Sequence, residues 1–350
     1  VAKDDRTVVF TLKYPTVTFP EALASPTMAI VPKDFDPAKP IGSGPFVLAT
    51  NDAGVQLTFT ANPTYFAGKA GVDQLVVKSF PDSASAASAL TADQIDVDAS
   101  LDPSLVDTVK GVAGYQVFDY STSGSLTWVM NTKKKPFDDP VVRQALRLAV
   151  DRQQLIDQVY NGYGKLGNDV FNPFDPMYNT NLPQRTYDPE GAKKLLTGAG
   201  YTLPVKVELV GTNNQPTSER QNKALVQQAK AAGFDITYTF VDSATFYGDA
   251  YGTYPLSLSY WGFLGIFDQA AFTITATAPY NSSHWVDEEY DTRFNQAVQT
   301  VDDAERKALA AQMQQIEWDR GAYLVPIFLD KVVGHADSVT GMQPYPNTDG

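Results

Sequence analysis

Three groups of residues in this 350-residue chain have the chemistry to hold a small molecule. The first is Trp261-Gly262-Phe263-Leu264-Gly265-Ile266-Phe267-Asp268-Gln269, which follows the alternating run Leu256 to Tyr260. Indole and phenyl faces stack on sugars or other apolar-faced solutes, and a carboxylate accepts a charge-assisted hydrogen bond. Trp261, Phe263, Leu264 and Asp268 are therefore candidate ligand contacts, against core packing for the aromatics and helix N-capping for Asp268. The second group is hydroxylic: Ser100 after one expected strand, and Tyr120-Ser121-Thr122-Ser123 beside another. Ser100, Tyr120 and Ser123 could hydrogen-bond a solute, although loops are rich in such residues anyway. The third is Trp128 and Asn131, which share the strand that follows. The cluster Phe246, Tyr247, Tyr251, Tyr254 and Tyr260 adds stacking surface, with core packing as each ring's ordinary role.

Other chemistries have weaker support. Forty Asp and Glu residues guarantee chance pairs, so a carboxylate-pair hydrolase would need two of them converging in a pocket with displaced pKa values. Two histidines, His284 and His335, lie far apart, and no Ser-His-Asp constellation stands out. There is no cysteine, so thiolate metal sites and disulfides are excluded, and a lone His makes a poor nickel or zinc site. No metal and no cofactor is expected. Gly42-Ser43-Gly44 lacks the Lys-Ser/Thr of a phosphate loop. A net charge of −13 opposes nucleic-acid binding, and Lys133-Lys134-Lys135, the one basic run, reads as a solvated strand exit.

The positioning elements can be read in outline. Thr7–Lys13 and Val55–Thr60 alternate as strands, with a Gly/Pro turn over Pro40–Phe46 between them. Asp82 or Ser83 caps a small-residue helix to Leu90. From Asp139 to Gly162 apolar residues recur at helical spacing, and Asp188-Pro189-Glu190 opens another helix. Val205–Leu209, Ser218–Ala232 and Ile236–Val241 form a strand–helix–strand unit, which implies a parallel pair. Leu256–Trp261 is a further strand, Glu288–Val298 and Asp302–Arg320 are late helices, and Tyr323–Leu329 is a last strand. The character changes near 132 and again near 323, as when a middle domain is inserted into a first. No apolar stretch approaches the length needed to span a bilayer.

One run is unusually specific: Asn131-Thr132, three lysines, Pro136-Phe137-Asp138-Asp139-Pro140, then Arg143-Gln144-Ala145 and Asp151-Arg152. It resembles the signature of the family 5 extracellular solute-binding proteins of ABC importers. Pro40–Phe46, Asn62-Pro63-Thr64-Tyr65-Phe66, Gln94-Ile95-Asp96 and Tyr187–Leu196 with Ala199-Gly200-Tyr201 are similar to further stretches of that family, in order. The resemblance implies an α/β, two-lobe, type II periplasmic-binding-protein-like fold, with hinge-connected mixed sheets flanked by helices. Lobe I would comprise residues 1–131 and 323–350, lobe II 132–322, with crossings near Asn131-Thr132 and Tyr323–Pro326. Asn131 would then suit a hinge role better than a ligand contact, and Arg143 and Arg152 would make surface or scaffold ion pairs. The family would carry more of lobe I ahead of Val1, as if this chain were mature or trimmed. It implies a monomer, periplasmic or anchored outside the membrane as a lipoprotein, that passes a peptide-like solute, or a sugar or nickel complex, to a membrane permease. A ligand-sensing ectodomain is the other reading. In the family an aromatic precedes a Trp-x-x-Asp run whose Asp often pairs with a peptide's α-amino group. Here Leu264 stands at that place, while Asp268 falls near a second acidic position whose following Pro is Gln269.

Overall fold

The computed structural model describes residues 1–23, 28–213, 215, 217–262 and 264–345. Phe263 and the expected lobe I residues 346–350 lie outside these. At the start, β1 (Ala2–Asp4) and β2 (Thr7–Val8) pair antiparallel, and α1 (Phe19–Leu23) follows. The strand expected over Thr7–Lys13 is thus two residues long, because Phe10 to Lys13 find no ladder partner despite their alternation. β3 (Phe46–Asp52), β4 (Gln56–Ala61) and β5 (Gln74–Lys78) form an antiparallel meander.

Next come α2 (Ser83–Thr91), β6 (Val97–Asp98), α3 (Val106–Lys110) and β7 (Tyr115–Ser121). Asp82 caps α2 by accepting from the Ser85 amide at 2.7 Å. The chain then enters β8 (Ser125–Met130) and two helices, α4 (Pro140–Leu148) and α5 (Arg152–Val159). The single helix read over 139–162 is divided because Asp151 takes the Gln154 amide at 2.9 Å and begins a second helix. β9 (Gly164–Leu166), α6 (Pro189–Gly198), β10 (Val205–Gly211), α7 (Ser218–Ala231) and β11 (Phe234–Phe240) follow, and β10 and β11 are parallel as their spacing required. The last elements are α8 (Ser243–Phe246), β12 (Leu256–Trp261), α9 (Ile266–Gln269), α10 (Glu288–Ala297), α11 (Asp303–Arg320), β13 (Tyr323–Leu324) and β14 (Ile327–Ala336). The last strand expected over 323–329 is therefore two strands. Pro326 has no amide to donate and falls in the break.

Two sheets organise the larger part. One has the order β11-β10-β12-β8-β13; in the other, β14 lies between β6 and β7 and also pairs with β9. Alternation along β8 sends Leu126, Trp128 and Met130 into a core with α4 to α7, while Val129 joins a second core with α10 and α11. A third core lies between α2, α3 and β14 around Leu90, Val109 and Val332. Since β8 sits between β12 and β13, the chain changes sheets at Thr122–Gly124, upstream of the crossing expected at Asn131-Thr132. Asn131 lies at the end of β8 remote from that changeover.

The arginines of the signature helix are buried. Arg143 donates to the carbonyls of Phe137, Arg320 and Gly321, and Arg147 to those of Trp318 and Tyr323. They satisfy the carbonyls that α11 leaves open at its end. Arg143 therefore makes no surface ion pair; its place is a carbonyl cage. Arg152 does pair, with Asp169 at 2.9 Å, and Arg185 completes that buried group at 2.7 Å.

Candidate functional site between the two sheets

Two short strands connect the sheets side by side. Ser121–Gly124 leads from β7 to β8, and Val325–Leu329 leads from β13 into β14. They are laced together: the Thr122 amide and hydroxyl both donate to the Leu329 carbonyl, at 3.1 and 2.8 Å, and the Leu329 amide donates to Gly124 at 2.8 Å. Gly167 approaches the second crossing so closely that a Cβ there would stand 2.4 Å from the Val325 carbonyl oxygen. A two-stranded ribbon of this kind is the expected form of a hinge, where a few residues at element ends absorb the rotation.

Cavities adjoin this ribbon. One, of about 180 Å³, takes Ser100 and Asp102 from the loop after β6, Thr122 from the first crossing, Thr217 and Tyr260 from the five-stranded unit, and Asp330 from β14. A second, of about 300 Å³, is lined by Thr122 and Phe328 with Lys165, Asn168, Phe174 and Tyr178. Both units thus supply walls to each cavity, the arrangement in which α/β proteins bind ligands beyond the ends of their strands. One ion pair spans the units near the first cavity, Arg220 to Asp102 at 2.7 Å. Burial works to raise the Asp102 carboxyl, but Arg220 and the amide and hydroxyl of Ser104 outweigh it and hold it below the usual range.

The residues singled out in the sequence fall into three sets. Trp261 ends β12 opposite Ser125, at the cleft end of the sheet, half-buried; its indole N–H is enclosed without a hydrogen-bond partner among the described residues. Leu264 is half-exposed just beyond it, and Asp268 lies in the first turn of the short α9. Asp268 is not that helix's N-cap, which is Gly265; Asp175 takes the Ile266 amide at 2.8 Å instead. Ser100 is exposed on the wall of the first cavity. Ser123 is 1% exposed in the first crossing, with a hydroxyl that has no partner among the described residues. Tyr120 lies on β7 opposite Lys331, its ring 5.6 Å from Phe118.

Trp128 and Asn131 do not join them. Trp128 is wholly enclosed and donates its indole N–H to Asn222 at 2.9 Å. Its place in the strand points it into the core beneath α7, so a solute cannot reach it. Asn131 is 1% exposed and ties the Gly252 carbonyl and the Lys133 amide at the opposite end of β8 from Trp261. Tyr260, one ring of the aromatic cluster named in the sequence, does line the first cavity, whereas the sequence reading missed Asp330, Thr217 and the cavity-lining segment around Phe174 and Tyr178. Asp330 carried one signal, a lone carboxylate directly after the apolar run 322–329; the others needed the fold. Neither histidine is near: His284 contacts Gly252, and His335 lies toward the far end of β14.

A family model for the bacterial extracellular solute-binding proteins, family 5 (middle), matches residues 1–284. The chain belongs to this family. Among curated relatives, family 5 similarity extends to the heme-binding protein A of Haemophilus influenzae, 32% identical over 213 residues, 57% of this chain and 38% of that protein. The di/tripeptide-binding protein 2 of Pseudomonas aeruginosa is 26% identical over 337 residues, 89% of this chain and 63% of that protein. The chain thus spans less than two thirds of the length of these relatives. Among solved structures, the periplasmic binding protein DppA of Helicobacter pylori, in complex with the peptide STSA, superposes with a TM-score of 0.89 at 24% identity, over 97% of this chain and 70% of that one. NikA of Staphylococcus aureus, in complex with Ni(L-His)2, gives 0.83 at 22% identity, over 96% and 73%. At these identities the likeness is one of fold, and it is the type II periplasmic-binding-protein fold that the sequence resemblance implied.

Proposed function

We propose that this chain is the solute-binding unit of an ABC importer, closing two lobes on a peptide-like or other small solute without transforming it. The observation that carries this reading is the hydrogen-bonded double crossing at Thr122–Gly124 and Val325–Leu329, with a cavity walled from both sides of it. In this reading the lobes divide at the double crossing, Trp261, Leu264 and Ser100 face the solute, Ser123 is enclosed in the first crossing, and the protein acts as an extracytoplasmic monomer that presents its closed form to a membrane permease. Absence of catalysis fits the distance of both histidines from the cavities and the commitment of Asp102 to Arg220.

A ligand-dependent melting screen tests it. A solute that binds only the folded chain stabilises it by about 2.7 kcal/mol at a concentration of one hundred times its Kd. Stabilisation by at least one small solute, with the solute recovered unchanged, is the expected result. Recovery of a converted solute, with conversion lost on mutating a cavity carboxylate, would overturn the non-catalytic reading.

A further inference from the structure

The two units also touch beside the first cavity. Arg220 stands in the first turn of α7. Its guanidinium reaches Asp102, in the loop after β6, at 2.7 Å and the Val159 carbonyl, at the end of α5, at 3.4 Å. The Arg220 side chain is 39% exposed and that of Asp102 6%, so the pair is only partly shielded from water. Asp102 also accepts from the amide and hydroxyl of Ser104, at 2.9 and 2.8 Å, which fixes its carboxylate in place. The turn after α5 makes a second contact. Asn161 donates to the Pro103 carbonyl at 3.2 Å, and Lys110 of α3 donates to the Tyr163 hydroxyl at 3.3 Å. Asn161 and Gly162 have φ of 51° and 87°, so two successive left-handed residues turn the chain sharply between Tyr160 and Tyr163. Among the described residues, the apolar clusters stay within their own units away from the crossings, save that Tyr163 packs on the cluster around Leu90, Val109 and Val332. An interface of one ion pair and two single hydrogen bonds, without a shared core, parts readily. It also borders the cavity, since Asp102, Pro103 and Tyr160 line it together with Thr122 and Leu329 of the crossings.

We propose that Arg220 and Asp102, with the Asn161–Tyr163 turn beside them, form a latch that holds the two units together over the first cavity and sets how readily they part. For the use to which the latch is put, this rests on the solute-binding reading above. Arg220 and Asp102 then govern retention of a solute, and the choice of solute lies with other residues. A solute that needs the closed form binds in proportion to the fraction of molecules already latched, so the pair contributes the same factor to every such solute. Loss of the pair lowers that fraction.

Pulsed electron paramagnetic resonance on the full, unliganded chain tests the latch without any solute. The chain has no cysteine, so spin labels at Ser88→Cys on α2 and Lys230→Cys on α7, both exposed, report one distance between the units. The parent should show a shorter, latched distance beside a longer one. Arg220→Ala should raise the ratio of longer to shorter by about threefold or more, the scale of a partly exposed ion pair. Asp102→Asn, which keeps an oxygen for Ser104, should do the same, and the double variant should go no further than either single one. Arg220→Lys keeps the charge and should shift the ratio less than Arg220→Ala. Should Asp102→Asn disturb the fold, the two Arg220 variants decide. An unchanged distribution in Arg220→Ala overturns the latch, as does a double variant whose shift is the full product of the single ones. The solute-binding reading is judged apart from this, by the melting screen. A lengthened distance with no stabilising solute keeps the latch and sinks that reading, and an unchanged distance with a stabilising solute does the reverse.

Discussion

At the scale of single residues, burial separates the two tryptophans of the β8–β12 pair. Trp128 is wholly enclosed, with its indole N–H spent on Asn222; Trp261 is half-buried, with an indole N–H that has no partner among the described residues. They are three positions apart in register, Trp128 facing Leu258 and Trp261 facing Ser125 across the same strand pair. Trp128→Ala should therefore cost about 3–5 kcal/mol of stability and leave the solute affinity of the folded fraction unchanged. Trp261→Ala should do the reverse, with a small loss of stability and a loss of affinity of tenfold or more. Urea denaturation and calorimetry on both variants check this; an affinity loss confined to Trp128→Ala would sink the assignment. Sequence alone offered both residues as ligand contacts, since an aromatic at a strand end and an aromatic in mid-strand look alike until the sheet order is known.

Among the elements, α4 and α11 are joined by buried charge. Arg143 and Arg147 of α4 close the carbonyl end of α11, and Asp169 draws in Arg152 and Arg185. Burial raises the Asp169 carboxyl, but the three arginines around it, Arg152 foremost, overcome this and hold it low. Glu317 of α11 has the opposite fate: burial pushes its carboxyl up to about 7, with the Tyr290 hydroxyl and Arg147 offsetting only part of the cost. The folded chain then binds a proton that the unfolded chain has released, so stability falls as pH rises from the ordinary carboxylate range to about 7. The loss is on the order of 3 kcal/mol at full ionisation. Glu317→Gln should remove it, leaving the variant more stable than the parent at pH 8 and close to it at pH 5 in urea titrations. A parent and variant whose difference does not change between those pH values would rule the effect out. Of the surface or scaffold ion pair expected for Arg143, the scaffold role holds, but through carbonyls in place of a carboxylate, because helix spacing shows which residues share a face but not what that face meets.

Taken as a whole molecule, two sheets are joined by a laced double crossing, which we propose as the hinge between the lobes. Rotation about Thr122–Gly124 and Val325–Leu329 would bring Ser100 and Asp330 toward Trp261 and Thr217. A compact chain of 350 residues has a radius of gyration of roughly 20 Å. Small-angle scattering should show the unliganded form above that value and a measurable contraction with a stabilising solute. Contraction should be lost when Gly167→Val wedges the second crossing against Val325. An identical radius with and without a bound solute would exclude hinge closure. Much of this was legible beforehand. Caps at Asp82 and Asp188, the parallel pair around α7 and the family signature are local, since each depends on neighbours within a few positions of the chain, whereas the cap at Asp151 that divides the helix read over 139–162 was not foreseen. The place where the chain changes sheets was not, because β8 reads as the end of the first unit until it is seen to be paired with β12 and β13. The sequence by itself determined the family, the fold class and most helices, for those follow from periodicity, capping and ordered motifs. Only the tertiary structure decided which strand ends share a cleft, and that Trp128 is sealed and Asn131 remote, because strand order and burial arise from contacts between residues far apart in the chain.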